Sequence, residues 1–180
     1  MIHCEAGKYF STSYGMHMSV RSIIPIPTLS LHAVDSTAVR QMQAWKYTGI
    51  MARYNFSDDP FELQWVCHAH TGYWQVRNAQ YELIGFAVIG TGAQTPGVYY
   101  HANAIDVLAG LHPDLLGQRH SHAFIMQVIT HAQKLHPGQR LRASIPSMHL
   151  AALAAWQRAG FFPEYAVIST DNTPFVVLLN

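Results

Sequence analysis

The clearest periodic signal lies in the second half of the chain. Phe124, Ile125, Val128, Ile129, Ala132 and Leu135 recur at steps of one, three or four, which draws one apolar stripe along a helix starting near Gly117. Pro137-Gly138 stops it. Leu150 to Ala159 reads as an alanine-rich helix closed by Gly160 in the position that favours a left-handed residue. Nearer the N-terminus, Asp35 is placed to cap a helix carrying Val39, Met42, Ala44 and Trp45. Asn55 to Pro60 is a polar loop, and Pro60 opens a short helix over Phe61 to Cys67.

Between these helices the period changes. Thr28 to Ala33, Tyr73 to Arg77, Leu83 to Thr91, Val98 to Leu111, Arg140 to Ile145, Phe161 to Ile168 and Pro174 to Leu179 read as strands, rich in branched and aromatic residues. Asn78-Ala79-Gln80 and Asp171-Asn172 supply turns, and Gly90, Gly92, Pro96 and Gly97 punctuate a loop. His112-Pro113 ends the third strand of the meander, because proline cannot donate to a ladder. The order is β-α-α-β-β-β-α-β-α-β-β. It predicts a mixed α/β (α+β) domain over residues 28–180, with a largely antiparallel central sheet flanked by helices and one central crossover. Residues 1–27, which end in Ile24-Pro-Ile-Pro27, read as an N-terminal extension.

Composition narrows the classes. The apolar share is 49% and the charged share only 12%, which favours a packed core over disorder. A formal charge of +1 argues against a dedicated nucleic-acid binder. No apolar run approaches the length of a membrane span, and the first residues lack the order of a signal peptide. Cys4 and Cys67 allow at most one bridge, so a cytoplasmic setting is expected. His68-x-His70 and His120-x-His122 invite a metal reading, but no spacing matches a fixed zinc motif, and none is expected. Trp45, Tyr47, Tyr54, Phe56, Trp65, Tyr73 and Trp74 form either core packing or the wall of a pocket, and packing is the favoured reading.

The candidate chemistry sits between Ile105 and Ala132, a strand, a turn around Gly117 and a helix. The first amides of a helix lack internal partners and carry partial positive charge, which suits a pyrophosphate. This stretch resembles motif A of the GNAT N-acetyltransferase superfamily, with Pro113, Gly117 and the apolar rhythm of the helix in register. Met148 to Phe161, ending in Gln157-Arg-Ala-Gly-Phe161, is similar to motif B. Ala44-Trp45-Lys46-Tyr47 and Tyr54-Asn55 also resemble a subset of these enzymes. The departures are specific. Leu116, Arg119 and Ser121 stand where the family's turn carries Arg or Gln, Gly, and Gly or Ala. His149 stands at the usual asparagine and Trp156 at the usual tyrosine, and an indole cannot transfer a proton near neutral pH.

The resemblance implies an acyltransferase that uses acetyl-CoA as co-substrate and lets an amine attack the thioester directly. The thioester carbonyl would meet the amide of Leu111 or its neighbour, and the pyrophosphate the amides of Gly117, Gln118, Arg119, His120, Ser121 and His122. Arg119 could add a charge-assisted bond. Asp106, the sole acid in an apolar strand, is the first candidate base; its alternative is a structural carboxylate that caps an edge or meets an arginine. His101 is the second candidate. Ser144, Ser147 and His149 could approach the sulfur from the motif B side. The expected acceptor is a small-molecule amine or a protein N-terminus; strongly cationic acceptors such as polyamines are disfavoured by the charge balance. A homodimer through the final strands is compatible with the pattern. The competing expectation, motivated by Arg119 and Trp156, is a degenerate GNAT fold that binds an acyl-CoA or a partner without turnover.

Overall fold

The computed structural model describes residues 28–180, and the extension expected over 1–27 lies outside them. The strands are β1 (Ser30–Ala33), β2 (Tyr73–Arg77), β3 (Leu83–Ile89), β4 (Ile105–Leu111), β5 (Leu141–Pro146), β6 (Phe162–Ile168) and β7 (Pro174–Leu179). The helices are α1 (Ser36–Gln43), α2 (Pro60–Val66), α3 (Ser121–Leu135) and α4 (Leu150–Arg158). All seven strands join one sheet in the order β1-β2-β3-β4-β5-β7-β6. Every neighbouring pair is antiparallel except β4–β5, which α3 connects as the central crossover. The expected mixed, largely antiparallel architecture is therefore the observed one.

The local signals act as their chemistry requires. The Asp35 carboxylate accepts from the Ala38 amide at 2.8 Å, and Asp59 does the same for Phe61 at 2.9 Å ahead of Pro60. Gly160, at φ +93°, closes α4. The Phe161 amide reaches back to the Trp156 carbonyl at 3.2 Å and the Gly160 amide to Gln157 at 3.0 Å, the bond pair of a Schellman motif. The apolar contact that accompanies such a motif is here Trp156 against Phe161, edge-on at 4.8 Å.

The sheet divides two layers. On one face α3 and α4 bury Ile125, Ile129, Ala132, Ala155 and Trp156 against Val107, Ala143 and Ile145. On the other, α1 and α2 bury Val39, Met42 and Val66 with Trp45, Tyr47 and Phe56 against Phe86, Val88 and Leu108. Two glycines let aromatic rings press onto the sheet. A Cβ on Gly85 would come within 2.5 Å of the Phe124 ring, and one on Gly110 within 2.3 Å of the Phe86 ring.

Two expected boundaries shift. The strand expected over Val98–Leu111 forms only from Ile105, whose amide is the first to find a ladder acceptor, the Arg140 carbonyl at 2.8 Å. Before it the chain runs in the open, with Tyr99 91% exposed. The helix expected from near Gly117 begins at Ser121, because Gly117 and Arg119 hold left-handed φ values of +75° and +65°.

Candidate active site

Strands β4 and β5 pair only at Ile105–Leu141 and Asp106–Arg142. Beyond that point β4 stays with β3 as far as Leu111, and β5 stays with β7 as far as Pro146. The centre of the sheet therefore opens as a wedge.

A buried clasp marks its apex. Arg142 Nε donates to Asp106 Oδ1 and Arg142 Nη2 to Asp106 Oδ2, each at 2.7 Å. Gln94 Nε2 donates to the same Oδ2 at 3.0 Å, and Arg142 Nη1 to the Ala102 carbonyl at 2.7 Å. The Tyr100 ring lies 3.7 Å from the guanidinium carbon, and its hydroxyl meets Ser144 Oγ at 3.1 Å. The Asp106 carboxylate is 3% exposed and engaged on both oxygens. This is the arginine-paired alternative for Asp106. Its oxygens serve the guanidinium and Gln94, which is a structural use of the carboxylate.

Within the wedge, backbone groups point inward. The His112 amide donates to the Ile84 carbonyl at 2.8 Å, so His112 faces β3. Alternation along an antiparallel ladder then turns Leu111 and Ala109 the other way, into the gap. The Leu111 carbonyl confirms that direction by accepting the Tyr47 hydroxyl at 2.9 Å, in place of the strand partner it lacks. The Leu111 amide shares that side. Burial pushes the Tyr47 phenol above its ordinary range, which keeps this donor protonated.

Two neighbouring cavities, which share lining residues, lie at the wedge. One of about 180 Å³ lies on the α3–α4 face, lined by Leu111, Leu116, Gly117, Ser121, Ala152 and Trp156 among others. One of about 50 Å³ continues towards the opposite face, past Tyr47, Met51, Tyr54, Phe86, Leu108 and Ser144. Met51, Ala109, His149, Ala152 and Trp156 line both. Among the described residues, the amides of Ser121, His122 and Ala123 in the first turn of α3 have no protein acceptor, while the Phe124 amide already bonds to the His120 carbonyl. The wedge thus runs from a cradle of free amides, between α3 and α4, through the sheet.

The expected site residues fall into three groups. Leu111, Gly117 and Ser121 line the larger cavity. Gln118, Arg119, His120 and His122 are exposed on the adjoining turn and helix start, and Arg119 lines neither cavity. His101 is not brought to the wedge: it is exposed before β4, edge-on to Tyr165 of β6 at 5.6 Å. Its loop precedes the clasp, so the parting strands carry it no closer. Of the motif B candidates, Ser147 donates to the Pro174 carbonyl at 3.2 Å, Ser144 borders the narrow cavity, and His149 borders both. His149 is half-buried at the start of α4, and burial pushes its imidazole below the ordinary 6.5. The lining role of Met51, Phe86 and Ala152 had no signal in the sequence, since each reads as core. Tyr47 and Tyr54 are both packed residues and walls of the wedge, whereas Trp74 packs on His131, at 4.3 Å on the α3 side. Elsewhere, His68 and His70 stack at 5.4 Å with no third ligand placed beside them among the described residues. No helix of the described residues is long and apolar enough to cross a membrane.

No protein-family model matches the sequence, and no curated protein matches it. Solved structures do match in shape. A spermidine N-acetyltransferase from Vibrio cholerae in complex with CoA and spermine superposes with a TM-score of 0.65 at 14% identity, over 84% of this chain and 94% of that one. A protein from Bordetella pertussis assigned to the GnaT-family acetyltransferases gives a TM-score of 0.64 at 18% identity, over 84% and 94%. Residues 28–180 thus carry the fold of the GNAT N-acetyltransferases.

Proposed function

We propose that the protein is an N-acetyltransferase that takes its acetyl group from acetyl-CoA and passes it to an amine. One observation carries the reading: β4 and β5 part immediately after a locked pair, and unmatched amides lie beside the opening at Leu111 and at Ser121–Ala123. The CoA complex of a protein with this fold supports the same co-substrate.

The residues present fit such a ligand. The cradle between Gly117 and His122 offers amide donors to a pyrophosphate, with the Arg119 side chain exposed beside it. Ala109, Ala151 and Ala152 leave a narrow apolar passage for an extended arm. Bound acetyl-CoA would supply an activated acyl carbonyl. The Leu111 amide, held by Tyr47 on the neighbouring carbonyl, would donate to that oxygen as negative charge develops on it.

His149 is the proton carrier in this reading. Its neutral ring takes the proton that leaves the attacking nitrogen as the C–N bond forms. It returns a proton to sulfur as the C–S bond breaks, so the products are an amide and a free thiol. Trp156, buried at the family's tyrosine position, supplies packing and no proton.

Calorimetric titration with coenzyme A and thiol release from acetyl-CoA over an amine panel test the proposal together. Filling the passage with Ala152→Trp should weaken coenzyme A binding at least tenfold. Unchanged binding in that variant, or no binding by the parent, removes the wedge as the cofactor site.

A further inference from the structure

The acceptor end of the wedge has a distinct chemistry. The amide cradle lies at the α3–α4 face, so the incoming amine has the opposite face, through the cavity of about 50 Å³. None of the residues lining either cavity is an Asp, Glu, Lys or Arg. The walls of the narrow cavity on the acceptor side are Tyr47, Met51, Tyr54, Phe86 and Leu108, with Ser144 beside them.

The acids that could serve a cation are already engaged. Asp106, at the apex, is taken by Arg142 and Gln94. The short turn Gly49–Tyr54, which brings Met51 and Tyr54 over the wedge, carries one charged residue, Arg53. Arg53 is a cation, and it binds Asp171 of the β6–β7 turn at 3.0 Å while lying 4.9 Å from the Phe175 ring centroid. A second positive charge on an acceptor would meet no free carboxylate among these groups. Desolvating an unpaired charge is costly, whereas an apolar body gains from the same walls. Ring faces can still hold a single ammonium on its way in.

We infer that the acceptor is an unbranched primary amine on an alkyl or aryl body, such as an arylalkylamine, and that polyamines and peptide N-termini are poor acceptors. A cavity of about 50 Å³ leaves little room beside the reacting nitrogen, which favours an unsubstituted methylene there over the branched α-carbon of a peptide. Tyrosine and methionine walls suit an aromatic or alkyl body that packs without a fixed hydrogen bond. This inference rests on the acetyl-transfer reading above, and it sets the chain apart from the spermidine enzyme whose fold it shares.

The test is thiol release from acetyl-CoA by the full chain, with 2-phenylethylamine, hexylamine, spermidine and an alanyl tripeptide compared by kcat/KM. The expected result is at least a tenfold preference for 2-phenylethylamine or hexylamine over spermidine and over the tripeptide. Met51→Glu should raise the ratio of kcat/KM for spermidine to that for 2-phenylethylamine at least tenfold by adding the missing carboxylate. Turnover of spermidine or the tripeptide at equal or greater efficiency overturns the acceptor class and leaves acetyl transfer standing. Coenzyme A binding with no turnover of any amine overturns the acceptor class and the transfer reaction together. Failure to bind coenzyme A overturns the cofactor reading first.

Discussion

Asp106 and Arg142 face each other through two 2.7 Å hydrogen bonds at the last paired position before β4 and β5 separate. The pair closes the sheet on one side and frees it on the other. Removing one partner leaves the other as an uncompensated buried charge. Asp106→Asn and Arg142→Met should therefore each lose about 3–5 kcal/mol in urea unfolding, and the double variant should lose less than their sum. If Asp106→Asn instead keeps its stability and drops in turnover tenfold, the carboxylate is the base after all.

His149 gives a pH signature. Burial lowers its imidazole from 6.5, so below that value the unfolded chain binds more protons than the folded one. The stability contributed by the neutral ring is complete above pH 6.5 and is lost as pH falls through the folded value. In turnover, the acid limb of kcat should lie below pH 6.5 and disappear in His149→Ala, with kcat lowered about a hundredfold at neutral pH. Coenzyme A affinity should not follow it.

Gly110 is a packing requirement beside the wedge. Its missing Cβ is occupied, at 2.3 Å, by the Phe86 ring. Gly110→Ala should cost about 1–3 kcal/mol through overpacking. Phe86→Leu in the same background should recover part of that loss, because it withdraws the ring atoms that clash. Additive losses in a double-mutant cycle would show that the two residues do not share the space.

Arg119 holds φ +65°, a conformation that costs a non-glycine residue about 1 kcal/mol. Arg119→Gly should therefore raise the thermal midpoint while weakening coenzyme A binding through loss of the guanidinium. Arg119→Ala separates the two effects: it keeps the strain and loses the charge. Equal coenzyme A affinity in all three proteins would remove the side chain from the phosphate site.

The architecture was legible because its signals are local. Asp35, Pro60, Gly138 and Gly160 each act within a few residues of themselves, and the α3 stripe is set by period alone. The site was less legible because its decisive relations are distant. Asp106 looked like an isolated acid, since its partner sits 36 residues away in a parallel register that no local pattern fixes. His101 fell within the strand expected over Val98–Leu111, and only the absence of ladder partners before Ile105 separates it from β4. His149 gained its place from the mouth of a helix and two cavities that exist only once the strands part.

The alternation along β4 has a consequence for solvent. A strand in the middle of a seven-membered sheet ordinarily guards every amide from deuterium. Here Gly110 is bonded towards Phe86 while Leu111 is turned to an empty lane, so two adjacent hydrogens in the same strand should trade with water on very different clocks. The heart of this sheet behaves along that stretch like a margin, and a ligand lying in the lane would silence the difference.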